Sequence, residues 1–272
     1  MGPLARIWAR LQYFMPQHAL TALAGRLAQA ETAWLRRALI RGFLRLYAVD
    51  LAEAAEPDPE RYPSFNAFFT RTLAPGARPQ SRDPRVIASP CDGVVSVCGA
   101  LDGERLLQAR LAAKSRWYTL AELLGDDRAA HDFVGGSFAT LYLAPQVYHR
   151  VHMPLSGQLT AVTRLPGRLF SVNAGTARTV PRLYARNQRV VCRIDSTAGP
   201  LAVVLVGALN VGSISIVGRG PLERGAELGR FNLGSTVILL LARDRCDWLP
   251  ELAPGARLRV GAPLGRWRDP RA

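Results

Sequence analysis

The chain has almost no lysine: among its 35 lysine and arginine residues, only Lys114 is a lysine. Enzymes that act on amines often hold a substrate or a pyridoxal phosphate cofactor on a lysine as a Schiff base. Only Lys114 could serve in that way, and it stands in the polar stretch Ala113-Lys114-Ser115-Arg116. Carbonyl chemistry in this protein therefore needs an electrophile that does not depend on lysine.

Paired cysteines and long apolar runs are also lacking. The four cysteines include no CxxC pair, which fits a reduced compartment and structural thiols better than a disulfide framework. The N-terminus lacks the apolar core of a signal peptide. The longest apolar run, residues 201–209, is far shorter than the ~20 residues that a membrane-spanning helix needs. We therefore expect no membrane span, while attachment to a membrane surface stays open.

Acidic residues are scarce relative to basic ones, which gives a formal net charge of +14 over 272 residues. Such an excess suggests a nucleic acid, an anionic membrane or an anionic small molecule as partner. The chain shows neither a basic strand interleaved with aromatic residues nor the ligand spacing of a zinc finger. We therefore predict no nucleic-acid partner.

The first part of the chain, residues 1–62, is predicted to be helical, with Pro16 separating the first two helices. The third helix is predicted over residues 31–49. It carries a basic and an apolar stripe, formed by Arg37, Arg41 and Arg45 and by Leu35, Leu39, Phe43 and Leu46. Such a helix can lie in a membrane interface with its arginines near anionic headgroups. It can equally pack on its own domain with the arginines in water.

From residue 86 onward, short β-type runs alternate with glycine-containing turns. The runs occupy residues 93–97, 138–143, 190–194, 201–206, 213–217 and 236–241, and a helix is predicted near 119–124. This spacing fits a sandwich or barrel better than a doubly wound sheet. We therefore predict an α+β protein, in which a helical N-terminal cap, residues 1–62, packs on a mostly antiparallel β sandwich or barrel core, residues 63–272.

Two of the four histidines, His149 and His152, lie in one short segment, YHRVHMP at residues 148–154. The segment follows a predicted strand, and strand ends beside loops are places where catalytic groups are held on a rigid scaffold. A single histidine is more often structural, but two so close together favour a function. The HxxH spacing alone is weak support for zinc, which needs a third ligand and partners behind the ligands.

Asp92 and Ser235 are the other residues that could carry chemistry. Asp92 precedes a glycine at the entry to a predicted strand, where Asp-Gly most often marks a turn. Ser235 follows a polar, glycine-containing segment and begins an apolar run, which is typical of a loop that enters a buried strand. A serine, a histidine and an aspartate can also form a catalytic triad, which is defined by geometry and not by chain order. The sequence does not show whether these residues meet.

Taken together, these segments resemble those of the bacterial, membrane-associated phosphatidylserine decarboxylases. The similarity covers nearly the whole chain, and its blocks are specific in this order and spacing. They are FNAFFTR at 65–71, PCDGV at 90–94, YHRVHMP at 148–154, PGRLFSVN at 166–173, LYARN at 183–187, VGA at 206–208 and GRFNLGST at 229–236.

The resemblance implies a cofactor made from the chain itself. In this family the serine that matches Ser235 becomes a pyruvoyl group: its Oγ attacks the carbonyl of Gly234, and elimination then cuts the chain. The products are a β chain, residues 1–234, and an α chain, residues 235–272. Glycine lacks a Cβ, which leaves the attacked carbonyl open. By the same match, His152 takes the hydroxyl proton and Asp92 orients His152.

The processed site would convert phosphatidylserine to phosphatidylethanolamine. The substrate amine forms a Schiff base with the pyruvoyl ketone, which accepts electrons as the carboxylate leaves. His149 matches the residue for proton delivery, although its division of roles with His152 stays open. Ser171 matches a position near the substrate headgroup, where a hydroxyl can bond an anionic group.

A substrate in the bilayer further implies a peripheral protein at the cytoplasmic face of the cell membrane, bound to an anionic surface through its N-terminal region. Whether the paired α and β chains form a homodimer stays open. The chain departs from the family in a short connection at 217–225 and in Arg110, where relatives usually have lysine. Two other functions stay open: a non-catalytic membrane-binding relative, and a metal-dependent hydrolase that uses His149, His152 and Asp92.

Overall fold

The computed structural model describes residues 3–109, 115–209, 213–232 and 235–268. The helices are α1 Pro3–Leu11, α2 Gln17–Gln29, α3 Ala33–Leu46, α4 Phe65–Phe69, α5 Leu120–Leu124, α6 Asp127–His131, α7 Ala174–Thr179 and α8 Leu183–Arg186, with a 3-10 turn at Pro59–Arg61. The strands of the first half are β1 Val86–Ala88, β2 Gly93–Ala100, β3 Arg105–Ala109, β4 Arg116–Thr119, β5 Ser137–Leu143, β6 Arg150–His152 and β7 Gly157–Leu165. Those of the second half are β8 Arg189–Ser196, β9 Gly199–Val206, β10 Ile214–Ile216, β11 Pro221–Leu222, β12 Glu227–Phe231, β13 Ser235–Leu241, β14 Cys246–Trp248, β15 Arg257–Leu258 and β16 Pro263–Trp267.

The core is an eight-stranded sheet in the order β11-β7-β8-β9-β13-β5-β2-β15, and its neighbouring strands pair antiparallel. Smaller sheets contain β1-β16-β14, β10-β12-β6 and β3-β4. The α+β class and the mostly antiparallel core are thus confirmed. The large sheet does not close into a barrel, because β11 and β15 form its two edges.

Strand β13 lies in the middle of the large sheet, between β5 and β9. All seven of its residues are buried, as expected for the apolar, partly β-branched sequence that it carries. In the register with β5, Ser235 lies opposite Leu143. Ser235 is therefore the first residue of the most deeply buried strand, at the point where the chain enters the core.

The N-terminal helices and α4 share a second apolar cluster, in which Ile40 packs with the aromatic side chains of α4. Pro16 separates α1 from α2 as predicted, and the third helix spans Ala33–Leu46 within the predicted 31–49. Since α4 lies beyond residue 62 yet packs against α2 and α3, the domain boundary at 62 stays a prediction. Among the described residues, no helix has the length and apolarity to cross a bilayer.

Two buried glutamines connect the N-terminal helices to the core. Gln12 Oε1 accepts a hydrogen bond of 2.7 Å from the backbone N–H of Ser171, and Gln17 Oε1 accepts one of 2.8 Å from that of Leu169. Gln17 Nε2 also donates to the carbonyl of Gln12 at 2.7 Å. The helical cap is therefore fixed to the loop that holds Ser171.

Candidate active site

The histidine segment lies beside the chain that leads to Ser235. Strand β6 pairs with β12, and the N–H of Phe231 donates to the carbonyl of His149 at 3.1 Å. Arg150 holds this arrangement, since it donates to Glu227 of β12 at 2.7 Å and to the carbonyl of Thr70 at 2.9 Å. The end of α4, the histidine segment and the approach to β13 are thus bonded together.

Ser235 is 1% exposed, and its Oγ makes no hydrogen bond to any residue that the structure describes. A buried hydroxyl without a partner is costly and uncommon, so such an atom calls for an explanation. Gly234, the other residue of the proposed scissile bond, lies outside the described residues.

His149 is fully buried and holds one ring nitrogen free. Its Nδ1 donates to the carbonyl of Val147 at 2.7 Å, which leaves Nε2 unprotonated. This Nε2 is buried and has no hydrogen-bond partner among the described residues. Burial, together with the nearby positive charge of Arg71, lowers the pKa of His149 to about 3 despite the hydrogen bond to Val147, which raises it. The side chain is therefore neutral, and its ring centre lies 4.1 Å from that of Phe69, with the two planes tilted by 40°.

His152 is half-buried and has both ring nitrogens bonded. Nδ1 donates to the carbonyl of Gly225 at 2.8 Å, so Nε2 accepts from the hydroxyl of Tyr148 at 3.0 Å. Burial lowers the pKa of His152 and raises the pKa of Tyr148 to about 12. Gly225 has a φ of +85°, a conformation that favours glycine. The short connection at 217–225 thus supplies a carbonyl to His152.

Asp92 is bonded to an arginine and not to a histidine. Its carboxylate accepts from Arg78 Nε at 3.0 Å and Nη2 at 2.5 Å, and from the N–H of Val260 at 2.8 Å. The nearest link to the histidine segment is through the backbone, where the N–H of His152 donates to the carbonyl of Pro90 at 2.7 Å. The hydrogen bond by which Asp92 would orient His152 is therefore not formed here.

The glycine after Asp92 has a different role from the turn that the Asp-Gly pair suggested. A Cβ at Gly93 would lie 2.6 Å from the carbonyl oxygen of Tyr142 on the neighbouring strand. Glycine is thus required for the close approach of β2 to β5, which holds Asp92 at the edge of the core.

Ser171 lies in the loop before α7, half-buried. Its Oγ shares a hydrogen bond of 2.7 Å with Thr176 Oγ1 and accepts from Asn173 at 3.4 Å. In the part of the chain that the structure describes, no hydrogen bond joins Ser171 to Asp92, His149 or His152. Its headgroup role stays a prediction, as do the assigned roles of the other site residues.

The comparisons with known proteins agree with the resemblance seen in the sequence. A family model described as phosphatidylserine decarboxylase matches residues 65–266, and one described as PSD matches 7–48. Proteins named phosphatidylserine decarboxylase proenzyme are similar along the full length. That of Methylococcus capsulatus is 45% identical, with 97% of each chain covered, and that of Pseudomonas fluorescens is 46% identical, with 96% of this chain and 97% of the relative covered.

The chain belongs to the phosphatidylserine decarboxylase family. The larger matched region contains Asp92, His149, His152, Ser171 and Ser235, and the smaller one contains most of the helical cap. Arg110, the predicted departure from the family pattern, lies outside the described residues.

Two residues near Asp92 and His152, Tyr148 and Arg78, were not predicted from the sequence to belong to the site. Tyr148 was inside a recognised block but was given no role, and Arg78 lies in a loop with no periodic signal. Tyr148, Arg78 and Asp92 line a cavity of about 630 Å³, together with Arg71. Ala144, which follows the register partner of Ser235, lies in the same wall.

The metal-hydrolase alternative gains no support from the geometry. Within the described ranges, no group of three or more histidine, cysteine, aspartate or glutamate side chains is arranged to hold a metal ion. Both ring nitrogens of His152 are hydrogen-bonded within the protein, and the carboxylate of Asp92 forms a salt bridge with Arg78, so neither side chain is free to bind a metal.

Proposed function

We propose that this chain is a phosphatidylserine decarboxylase that forms its own pyruvoyl group by cutting the Gly234–Ser235 bond. The names of its relatives specify both the decarboxylase activity and a proenzyme. The observation that carries the proposal is the buried hydroxyl of Ser235, which has no hydrogen-bond partner in the described structure. A nucleophile held without competing bonds is free to attack its neighbouring carbonyl.

The surroundings of Ser235 fit a pyruvoyl group at this position. Removal of the hydroxyl breaks no hydrogen bond of the described protein, and the pairing of β13 with β5 and β9 holds residue 235 in place after a cut. When present, the group supplies a ketone that acts as an electron sink for decarboxylation. The free Nε2 of His149 leaves a hydrogen-bond acceptor without a partner beside the chain that leads to Ser235.

Self-cleavage begins when the Ser235 Oγ attacks the Gly234 carbonyl, its proton leaves, and the peptide C–N bond breaks to give an ester. Loss of the Cα proton then breaks the Cβ–Oγ bond and releases the Gly234 carboxylate. Water then displaces the amino nitrogen of residue 235 as ammonia and leaves a ketone at its Cα. The base for the first step is His152 by the family match.

The hydrogen bonds of His152 limit how it can act as this base. Nε2 is the unprotonated nitrogen of His152, and the Tyr148 hydroxyl occupies it. A proton therefore reaches His152 through Tyr148, which takes one proton at its oxygen as it gives its own to Nε2. The negative carboxylate of Asp92 favours this charge on His152 from a distance.

We also propose that the protein binds peripherally to the cytoplasmic face of the cell membrane through α1 and α2. These helices and the turn between them expose several large apolar side chains: Ile7, Trp8, Leu11, Phe14, Leu20, Leu23 and Leu27. In the predicted membrane helix, Leu39 and Phe43 pack against the second apolar cluster, whereas Trp34 and Leu46 at its ends are exposed. An exposed apolar face with basic residues nearby suits the interface of an anionic bilayer.

Intact mass of the purified protein tests the catalytic proposal. We expect chains 1–234 and 235–272, a blocked N-terminus on the second, and carbon dioxide release from phosphatidylserine in vesicles. Ser235→Ala should give one uncut chain that still binds vesicles. A wild-type protein that folds but stays uncut would instead indicate a non-catalytic membrane-binding relative.

A further inference from the structure

Arg71 is a buried cation that forms no salt bridge with any acid in the described part of the chain. Its side chain follows α4 and is 5% exposed. Nη2 donates to the carbonyl of Gln146 at a long 3.3 Å, and Nε has no hydrogen-bond partner among the described residues. The guanidinium carbon also lies 5.7 Å from the centre of the Phe68 ring. These contacts leave most of the donor capacity of the guanidinium unused.

Two acids of the cavity wall are occupied by other arginines, and a third, Asp50, acts on Arg71 only from beyond salt-bridge distance. Asp92 is bonded to Arg78, and Glu53 to Arg78 and Arg259. No salt bridge within 4.0 Å reaches Arg71 from any carboxylate in the described ranges. Burial lowers the pKa of Arg71, which reflects the cost of keeping this charge out of water.

Another arginine shows how the same fold satisfies a buried guanidinium for structural purposes. Arg189 is also 5% exposed. It donates hydrogen bonds of 2.6 to 3.0 Å to the backbone carbonyls of Glu122, Leu123, Ala185 and Asn187. Arg71 has no comparable set of acceptors, so a structural role does not account for it.

Arg71 lines the cavity of about 630 Å³ beside the site. Its wall includes Tyr148, which is bonded to His152, and Ala144, which follows the register partner of Ser235. This volume is in the usual range for pockets that hold small ligands. Arginine is the side chain best suited to planar, bidentate recognition of carboxylate or phosphate.

We propose that Arg71 binds the phosphodiester of the phospholipid headgroup in this cavity. The inference rests on the proposed function for the identity of the lipid. A carboxylate is the other anion of the substrate, but decarboxylation removes its charge. A cation that held the carboxylate would stabilise the ground state more than the transition state and so oppose the reaction. The phosphodiester keeps its charge throughout, so binding it fixes the headgroup without that penalty.

The test measures binding in a protein that performs no chemistry. In the full-length Ser235→Ala chain, the thermal midpoint is recorded with glycerophosphoethanolamine, which has the diester and no carboxylate, and with serine, which has the carboxylate and no phosphate. We expect the diester to raise the midpoint and serine to leave it unchanged. Addition of Arg71→Met should abolish the diester shift, whereas Arg257→Met, at an exposed position in the same cavity wall, should keep it.

Stability of the variants separates the ligand role from a structural one. Without ligand, Arg71→Met should fold with an unchanged or higher midpoint, because it removes an unpaired buried charge. Arg189→Met should lower the midpoint, because it leaves carbonyls without donors. A loss in Arg71→Met as large as that in Arg189→Met would overturn the proposal. An equal diester shift with and without Arg71, or a shift with serine alone, would also overturn it.

Turnover by the processed protein gives an independent readout. Arg71→Met should raise KM for phosphatidylserine by about tenfold to a hundredfold, the usual range for loss of a charged hydrogen bond, with a much smaller change in kcat. Arg71→Lys should restore part of the loss. If the chain is never cut yet binds the diester through Arg71, the anion site stands and the pyruvoyl proposal fails. If the chain is cut and active but binds the diester equally well with Arg71→Met, the pyruvoyl proposal stands and the anion site fails.

Discussion

The hydroxyl of Tyr148 lies 3.0 Å from Nε2 of His152, while Nδ1 of the same ring donates to the carbonyl of Gly225 at 2.8 Å. The Tyr148 pKa of about 12 keeps this hydroxyl protonated at neutral pH, so it donates to the histidine. The two bonds fix both the tautomer and the orientation of His152, and its orientation is the task that the family resemblance assigned to Asp92.

Tyr148→Phe should therefore slow cleavage of the chain by about a hundredfold, a typical contribution of one positioned proton-transfer group. The change removes a hydroxyl and keeps the ring, so the fold should persist. The measurement is the time course of cleavage of newly made protein, followed by gel or mass. His152→Ala should slow cleavage at least as much, and the double variant little further. Cleavage of Tyr148→Phe at the wild-type rate would exclude a proton path through the tyrosine.

The buried pair of Arg78 and Asp92 should be important for stability. In the Ser235→Ala background, Arg78→Met should lower the free energy of unfolding by about 3–5 kcal/mol, because it leaves the Asp92 carboxylate buried without its cation. Urea denaturation measures this value. The matched control is Arg266→Met, whose exposed pair with Asp83 should contribute less than about 1 kcal/mol. Equal losses in the two variants would show that burial of the Asp92 pair has no special cost.

His149 should make the folded protein sensitive to acid. Its folded pKa of about 3 lies below the ordinary 6.5, so the unfolded chain binds the proton first as pH falls. Between these values, each pH unit should remove about 1.4 kcal/mol from the free energy of unfolding. His149→Gln should flatten this part of the slope in urea titrations of the uncut protein from pH 6 to pH 4.5. The exposed His131→Gln is the control substitution, and parallel curves for His149→Gln and the parent would contradict the assignment.

Membrane attachment should depend on α1 and the turn after it more than on the arginines of α3. Leu11 and Phe14 are 52% and 89% exposed. Replacing both with glutamate should weaken binding to vesicles that contain anionic lipid by a hundredfold or more, since each buried side chain contributes about 1.5–3 kcal/mol. Arg37→Gln with Arg41→Gln should have a smaller effect, about 1 kcal/mol for each charge.

Vesicle flotation measures this difference, with Val162→Glu as the control. Val162 is an exposed apolar residue of β7, outside the cap, and its change should leave binding unchanged. If the arginine variant lost more binding than the Leu11 and Phe14 variant, the interface would lie on α3, as its sequence pattern first indicated.

Local patterns were enough to predict much of the fold. The apolar run of β13 and the periodic stripes of α3 each lie within a single element. Each element could therefore be predicted from its own residues, without the rest of the chain. Strand β7, Gly157–Leu165, was missed because it alternates polar residues and exposes much of its length. Pairing with β8 holds these residues in a strand that their own sequence does not indicate.

The site was less predictable, because its contacts join distant segments. His149 and His152 were found from their spacing and the family blocks. The partner of Asp92 was not found, because Arg78 lies in an irregular loop and nothing local ties it to that carboxylate. The carbonyl of Gly225 could not be read from any side chain, since every residue has one. Arg71 ends the FNAFFTR block, but only the three-dimensional arrangement shows that no described carboxylate forms a salt bridge with it.

The position of β13 between β5 and β9 means that the chain should fold before it is cut. The segment after the proposed cut also supplies β16, which lies between β1 and β14, and β15, which pairs with β2. Folding while the chain is continuous needs only loop closure, whereas afterwards two separate molecules would have to find each other and interweave their strands. With the proposed cut, maturation would therefore be a one-way step: the denatured precursor could refold, whereas the denatured processed enzyme would have lost the covalent link that guided its assembly.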